Sequence, residues 1–270
     1  MPVVPKGAAT VVLLRPGGVG YDDLPAAEAG RPDPRPQVYL LRRHLAMAFA
    51  AGMYAFPGGT VDPRDSDRAV AWAGPSPAAW AERLACDEAD ARALVCAAVR
   101  ETFEESGVLL AGETAESVVE DTTGDDWESD RAALVDRSLA FADFLAARRL
   151  VLRTDLLAAW AHWITPEFEP RRYDTRFFVA ALPRGQRTRD VSGEADTVTW
   201  MAAADAVAGV DAEVMVMLPP TYITLQEIAA FSTVEAVWKA AAERVIETVV
   251  PGVEIVGDVG LLTLPPGVAS

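Results

Sequence analysis

The 270-residue chain is 51% apolar and 24% charged, a balance that supports a sizeable core and excludes a disordered polypeptide. Its 40 acidic and 24 basic residues give a formal net charge of −16, which opposes nonspecific binding to nucleic acid or to an anionic membrane. No run approaches about 18 uninterrupted apolar residues, so no membrane span is expected; two cysteines and two histidines argue against a structural zinc site and for a reducing, cytoplasmic setting.

The N-terminal segment carries a valine-rich run that reads as a first strand, not as a signal peptide. Residues 8–14 (ATVVLLR) and 37–43 (QVYLLRR) have strand composition and flank a Gly/Pro-rich loop. MYAFPGGTVDPRDSD is a strand end entering a glycine turn. In SPAAWAERLA, Ser76 is placed as an N-cap with Pro77 at the first helical position. In DEADARALVCAAVRETFEES, Asp87 is the expected N-cap and Gly107 fits the C′ position. Cys86 and Cys96 are expected on different faces of that helix.

Residues 112–130 read as an exposed acidic linker and residues 131–150 as one amphipathic helix. LLAAWAHWI and YDTRFFVAAL are buried runs of strand length, and DTVTW is a further short strand. PPTYITLQEIAAF and TVEAVWKAAAERV read as helices, and GVEIV with VGLLTL as a closing hairpin. Strands and helices interleave without an internal repeat. The expected class is α/β (α+β), a single domain over 1–270 with a helical C-terminal part at 203–250.

The chemistry concentrates in VRETFEESG. At about 100° per residue, Glu101, Glu104 and Glu105 share one arc of the helix, opposite Val95, Val99 and Phe103. A solvated face is one reading. The other is a hard-metal site, because an oxygen-seeking dication relieves the repulsion of clustered carboxylates. The same face carries Leu94, Ala97 and Ala98 instead of the lysines that pair glutamates on a plain surface, which favours the metal.

Arg100, Glu101, Glu104, Glu105 and Gly107, followed by Val108, resemble the second half of the Nudix box, and Gly58 and Gly59 in FPGGTVD supply its first half. A long insertion, residues 63–86, separates the two. The acidic residue usual between the halves has no assigned counterpart, and Thr102 stands where an aliphatic residue is usual. With the insertion, GMYAFPGG, WITPEFEPRRYDTRFFVAALP, EADTVTW and LPPTYITL resemble the coenzyme-A-diphosphatase-like branch of that superfamily. Ala48, four positions before Gly52, departs from the arginine of the better-defined coenzyme A hydrolases.

The resemblance implies a Nudix α/β/α sandwich with a mixed sheet, and a diphosphate hydrolase with Mg²⁺ or Mn²⁺ held by Glu101, Glu104 and Glu105. It implies that Arg100 orients the glutamates, and that Gly58 and Gly59 allow close backbone approach and positive φ. A further acidic ligand or base is expected from Glu194, with Glu167 second. Arg171, Arg172 and Arg176 are placed as receptors of substrate phosphates, with salt bridging to Asp174 as the rival role. Trp160, Trp163 and Phe168 are expected in the core, and His44 and His162 in structural roles. The implied partner is a small nucleotide-type molecule, with no nucleic acid and no membrane, and a homodimer is allowed. The substrate class is a nucleoside diphosphate linked to another moiety, first coenzyme A or an acyl-coenzyme A. ADP-ribose, a dinucleotide or a nucleotide sugar is the alternative, and a non-catalytic Nudix-fold binding module the rival. The insertion is expected to place a short helix at the rim of the catalytic cleft.

Overall fold

A computed structural model describes residues 3–17, 35–45, 50–191, 193, 195–256 and 259–265. The central strand, β1 (Lys6–Pro16), alternates its side chains between two cores. Ala9, Val11 and Leu13 enter one, Val12 and Leu14 the other, as the two-residue period of a strand requires. β2 (Pro36–Arg43) repeats the alternation with Tyr39 against Val38 and Leu40.

After β2 come β3 (Tyr54–Ala55), β4 (Gly58–Thr60), β5 (Trp72–Ala73), α1 (Pro77–Leu84), α2 (Glu88–Ser106) and β6 (Ala111–Gly112). Then follow α3 (Asp125–Val135), α4 (Phe141–Ala147), β7 (Val151–Arg153), β8 (Ala158–Ile164), β9 (Tyr173–Ala181) and β10 (Ala195–Ala202). The chain continues through α5 (Ala203–Asp211), α6 (Pro219–Ala229), α7 (Val234–Glu243), β11 (Thr248–Val249), β12 (Gly252–Val256) and β13 (Val259–Thr263).

The main sheet runs β10-β2-β1-β9-β8-β11 and is mixed: β1 lies parallel to β9, and β2 antiparallel to β1. β4 takes the N-terminal half of β1, with Gly58 opposite Thr10 and Gly59 opposite Ala9. Helix α2 covers one face of the sheet. Helices α5, α6 and α7 supply Ala206, Leu225 and Val237 to the other core. The expected α/β/α sandwich with a mixed sheet is the fold observed.

Local signals set the ends of α2. Asp87 accepts a hydrogen bond from the N–H of Asp90 at 2.8 Å, and Gly107 closes the helix at φ 75°. Thr102 is fully buried, and its hydroxyl donates to the Ala98 carbonyl at 2.7 Å. That bond satisfies the one polar group distinguishing it from an aliphatic residue. Cys86 precedes the N-cap and so is not on the helix, while Cys96 is buried within it; both are free thiols.

Three expectations are corrected. The acidic stretch 112–130 is not simply an exposed linker: α3 starts inside it, Thr122 is buried with its hydroxyl on the Gly107 carbonyl, and Trp127 packs edge-on against Phe103. Residues 131–150 form two helices, because Arg137 takes a left-handed backbone with φ 64° between α3 and α4. The insertion does contain the expected helix, α1, with Ser76 as its N-cap and Pro77 in its first turn. That helix is built into the core and not onto the cleft. Trp80 and Leu84 are buried, Trp80 meets Phe178 at 5.7 Å, and β5 pairs in parallel with β7. A tryptophan and a leucine on one helical face gain more by burial than by rimming a wet cleft.

Candidate active site

Helix α2 crosses over β4, and a cleft of about 870 Å³ opens at that crossing. Gly58, Gly59, Asp65, Arg100, Glu101, Glu104 and Glu105 all line it. Glu104 and Glu105 are each 8% exposed, so the acidic face of the wheel points into a cleft and not into open solvent.

Arg100 organises the wall. Its Nε and Nη2 donate to the two Asp65 oxygens at 3.0 and 2.9 Å, and Nη2 also to the Thr60 carbonyl at 2.9 Å. Its Nη1 donates to Glu101 at 2.8 Å and to Glu104 at 3.1 Å. All five N–H donors of the guanidinium therefore have an acceptor. Burial works against its charge, but the Asp65 hydrogen bonds and the Glu101, Asp65 and Glu104 charges outweigh it and raise its pKa. Burial pushes the Glu101 carboxyl up to about 7 against the opposing pull of Arg100. The Glu104 carboxyl is also raised by burial, with Arg100 and, more weakly, Arg137 opposing.

The two glycines are required by space. A Cβ on Gly59 would stand 2.5 Å from the Glu101 carboxylate, and one on Gly58 2.5 Å from the Ala9 carbonyl oxygen. Close backbone approach is thus observed. The expected positive φ is not, since both residues lie in extended β4 and neither is among the positive-φ glycines. Gly58 N–H donates to Glu105 at 2.8 Å, tying the strand to the helix.

As donors, three carboxylates on one wall suit a hard divalent cation. Glu101 and Glu104 turn toward Arg100, and Glu105 toward Gly58. Among the described residues no three acidic, histidine or cysteine side chains stand at metal-enclosing spacing. The donor chemistry therefore fits a dication, and the carboxylates would have to turn from these partners to converge on it.

Arg171, Arg172 and Arg176 do not line this cleft. Arg171 is exposed. Arg172 is buried and donates to the Thr165 and Val3 carbonyls at 2.9 and 2.7 Å. Arg176 is buried on β9, bonded to Asp174 and to the Leu84 carbonyl. Arg171 and Arg172 precede β9 and only Arg176 lies on it; the two buried guanidinium groups are held by separate acceptors, so closeness in sequence did not bring the three together at the glutamates. Glu194 lies outside the described residues. Glu167 is exposed and is not among the residues lining the cleft, whereas Glu169 lines it.

Trp160 and Trp163 are buried as expected, but Phe168 is 56% exposed at the cleft, which corrects its placement in the core. His162 is structural, bridging Asp174 and Thr248 at 2.7 Å each.

Sequence reasoning missed Asp65. It is 2% exposed and is the bidentate partner of Arg100, 35 positions away. The signal was the acid-rich VDPRDSD, whose three aspartates cannot be ranked without knowing which one the turn buries. That turn, Pro63–Ser66, is held by a capping box in which Asp62 accepts the Arg64 N–H and Asp65 accepts the Asp62 N–H. The wall formed by Leu134, Leu139 and Phe141 was missed as well.

A glycine-strand crossed by a glutamate helix, with an arginine clamped among the carboxylates, defines a Nudix hydrolase. A family model described as NUDT19 Nudix domain matches residues 79–228, more than half of the chain, and the chain belongs to that family. It is 26% identical over 165 residues to an acyl-coenzyme A diphosphatase NUDT19 of Xenopus laevis, covering 57% of this chain and 43% of that protein. It is 23% identical over 273 residues to the protein of the same name in Gallus gallus, covering 83% of this chain and 71% of that one. The chain thus spans less than half the length of the first relative. Among solved structures, a NUDIX hydrolase from Alicyclobacillus acidocaldarius superposes with a TM-score of 0.71 at 26% identity, covering 89% of this chain and 96% of that one. No helix among the described residues is long and apolar enough to cross a membrane.

Proposed function

We propose that this Nudix hydrolase splits the diphosphate of a nucleoside diphosphate linked to another moiety, and that the substrate is coenzyme A or an acyl-coenzyme A. The gathering of Glu101, Glu104 and Glu105 on one wall of the cleft carries the diphosphate reading. The choice of substrate is supported by the names of the frog and chicken relatives. It is supported too by apolar walls beyond the carboxylates, Leu139 and Phe141 on one side and Trp163 and Phe177 on the other.

Glu101, Glu104 and Glu105 would hold Mg²⁺ or Mn²⁺. Such an ion neutralises phosphate charge and lowers the pKa of a bound water. Arg100 holds Glu101 and Glu104 to one side, and the Gly58 N–H holds Glu105. Gly59 leaves the space that the Glu101 carboxylate and the substrate share. In the reaction the water oxygen bonds to one phosphorus and the bridging P–O bond breaks, giving 3′,5′-ADP and a 4′-phosphopantetheine product. A hydrolysis screen with Mg²⁺ and with Mn²⁺ tests this across coenzyme A, acyl-coenzyme A, ADP-ribose, NADH, dinucleoside polyphosphates and nucleotide sugars. The highest kcat/KM is expected for coenzyme A or its thioesters. A clear preference for any other class overturns the substrate assignment, and no metal-dependent turnover of any of them overturns the diphosphate reading.

A further inference from the structure

Five arginines line the cleft: Arg43, Arg64, Arg100, Arg131 and Arg137. Four have partners. Arg100 is saturated as described. Arg131 pairs with Glu128 and donates to the Glu104 carbonyl at 2.7 Å. Arg64 clasps Asp62 through Nε and Nη2, each at 3.0 Å. Arg43 is engaged as well. The exposed guanidinium of Arg137 makes no hydrogen bond or ion pair with the described residues.

Its backbone, by contrast, is held firmly. The Arg137 N–H donates to the Leu134 carbonyl at 3.0 Å, and its carbonyl accepts Nη1 of Arg64 at 3.2 Å. Arg64 is itself anchored to the turn that follows Gly59. Arg137 thus occupies the left-handed position after α3, φ 64°, where glycine is the cheaper residue. A large cation stands there instead, in the lining of the same cleft as Glu104. Asp62, Asp65, Glu101, Glu104, Glu105 and Glu169 line the cleft beside the five arginines, on a chain of net charge −16. The net charge of the chain repels an approaching anion, and among the described residues Arg137 is the arginine of this cleft without a hydrogen bond or ion pair from its side chain.

We propose that Arg137 is the group through which the chain binds the diphosphate of its substrate, in place of the Arg171, Arg172 and Arg176 cluster. This rests on the diphosphate reading of the same cleft. The planar fork of a guanidinium matches two phosphate oxygens, and Arg137 lines the same cleft as the three glutamates.

The test compares wild type with Arg137→Ala, Arg137→Lys and Arg137→Gly in two assays. The first is binding of ADP in EDTA by calorimetry, which needs no metal and no turnover. Arg137→Ala should weaken it by about tenfold or more, the worth of a charge-assisted hydrogen bond, and Arg137→Lys should recover part of the loss. Arg137→Gly should lose the same binding while melting no lower than wild type, since glycine relaxes the left-handed backbone; a merely structural arginine would not behave so. The second assay is steady-state kinetics on the preferred diphosphate substrate, where KM should rise more than kcat falls. ADP affinity in Arg137→Ala within about twofold of wild type, or a wild type that does not bind ADP at all, overturns the proposal. Arginine-dependent ADP binding in a protein that hydrolyses no diphosphate would instead remove the hydrolase reading and leave this one standing.

Discussion

Asp65→Asn probes the support of the glutamate wall. The substitution keeps the shape of the side chain and replaces one carboxylate oxygen with an NH₂ group. Asp65 is 2% exposed. Its Oδ1 accepts Arg100 Nε at 3.0 Å; its Oδ2 accepts Arg100 Nη2 at 2.9 Å and the Asp62 N–H at 2.8 Å. With the amide oxygen at the Oδ2 position, two bonds survive and the NH₂ group faces the Arg100 Nε–H, donor against donor. The flipped rotamer loses two bonds and is worse. One charge-assisted hydrogen bond lost costs about 1.5–3 kcal/mol, and stripping a buried charge of its partner costs about 3–5 kcal/mol. Glu101 and Glu104 remain on Nη1 and compensate part of the guanidinium charge, so the expected loss is about 2–4 kcal/mol. At about 2–4 °C per kcal/mol for a domain of this size, Tm falls by about 4–16 °C. Because Arg100 then orients Glu101 and Glu104 less firmly, kcat/KM should fall by about 10–100-fold, as when a ligand's supporting partner is lost. Asp205→Asn is the control. It breaks an Arg35 pair of similar length, 2.8 Å, in which both side chains are exposed, at 45% and 58%, and should cost only about 0–1 kcal/mol. Urea unfolding of the three proteins decides the matter. A loss for Asp65→Asn within about 0.5 kcal/mol of zero, or no larger than that of the control, refutes the reasoning.

Glu104→Gln and Glu105→Gln should each cut turnover by several orders of magnitude. Neither is neutral for stability, since both side chains are buried; weakening the charge-assisted bond from Gly58 should cost Glu105→Gln about 1–2 kcal/mol, read by denaturant titration. Gly59→Ala should fold yet lose most activity, because its Cβ would stand 2.5 Å from the Glu101 carboxylate; wild-type kcat/KM would show that Glu101 yields freely. Mg²⁺ or Mn²⁺ at a hundred times its Kd should stabilise the protein over EDTA by about 2.7 kcal/mol; a melting shift that persists after Glu101, Glu104 and Glu105 are all changed to Gln would place the ion elsewhere. Trp80→Ala should lose about 3–5 kcal/mol of stability and keep the ranking of substrates, the reverse of what a cleft-rim insertion requires.

Much of the site could be read from spacing because it is local. Glu101, Glu104, Glu105 and Arg100 lie within two turns of one helix, so the 3.6-residue period alone puts the carboxylates on a common face. Asp87 and Gly107 bound that helix through contacts within four residues. The central strands were legible for the same reason, as apolar runs of strand length.

Contacts across long stretches of chain were not legible. Asp65 meets Arg100 only after the intervening insertion has folded back, and VDPRDSD carries no sign of which aspartate is to be buried. The insertion carried two tryptophans and a helix start, which fitted equally a core element and a cleft rim; the space beside Phe178 decided. Arg171, Arg172 and Arg176 form a tight run in sequence, but Arg171 is exposed and separate acceptors on other elements hold Arg172 and Arg176. Phe56 and Leu139 meet at one cleft, though no local pattern relates them. A helix period, a cap or a glycine pair is enforced by neighbours along the chain, and the sequence by itself determined these. Which carboxylate receives Arg100, and which cleft arginine has no side-chain partner among the described residues, depends on the groups the tertiary structure brings within about 3 Å.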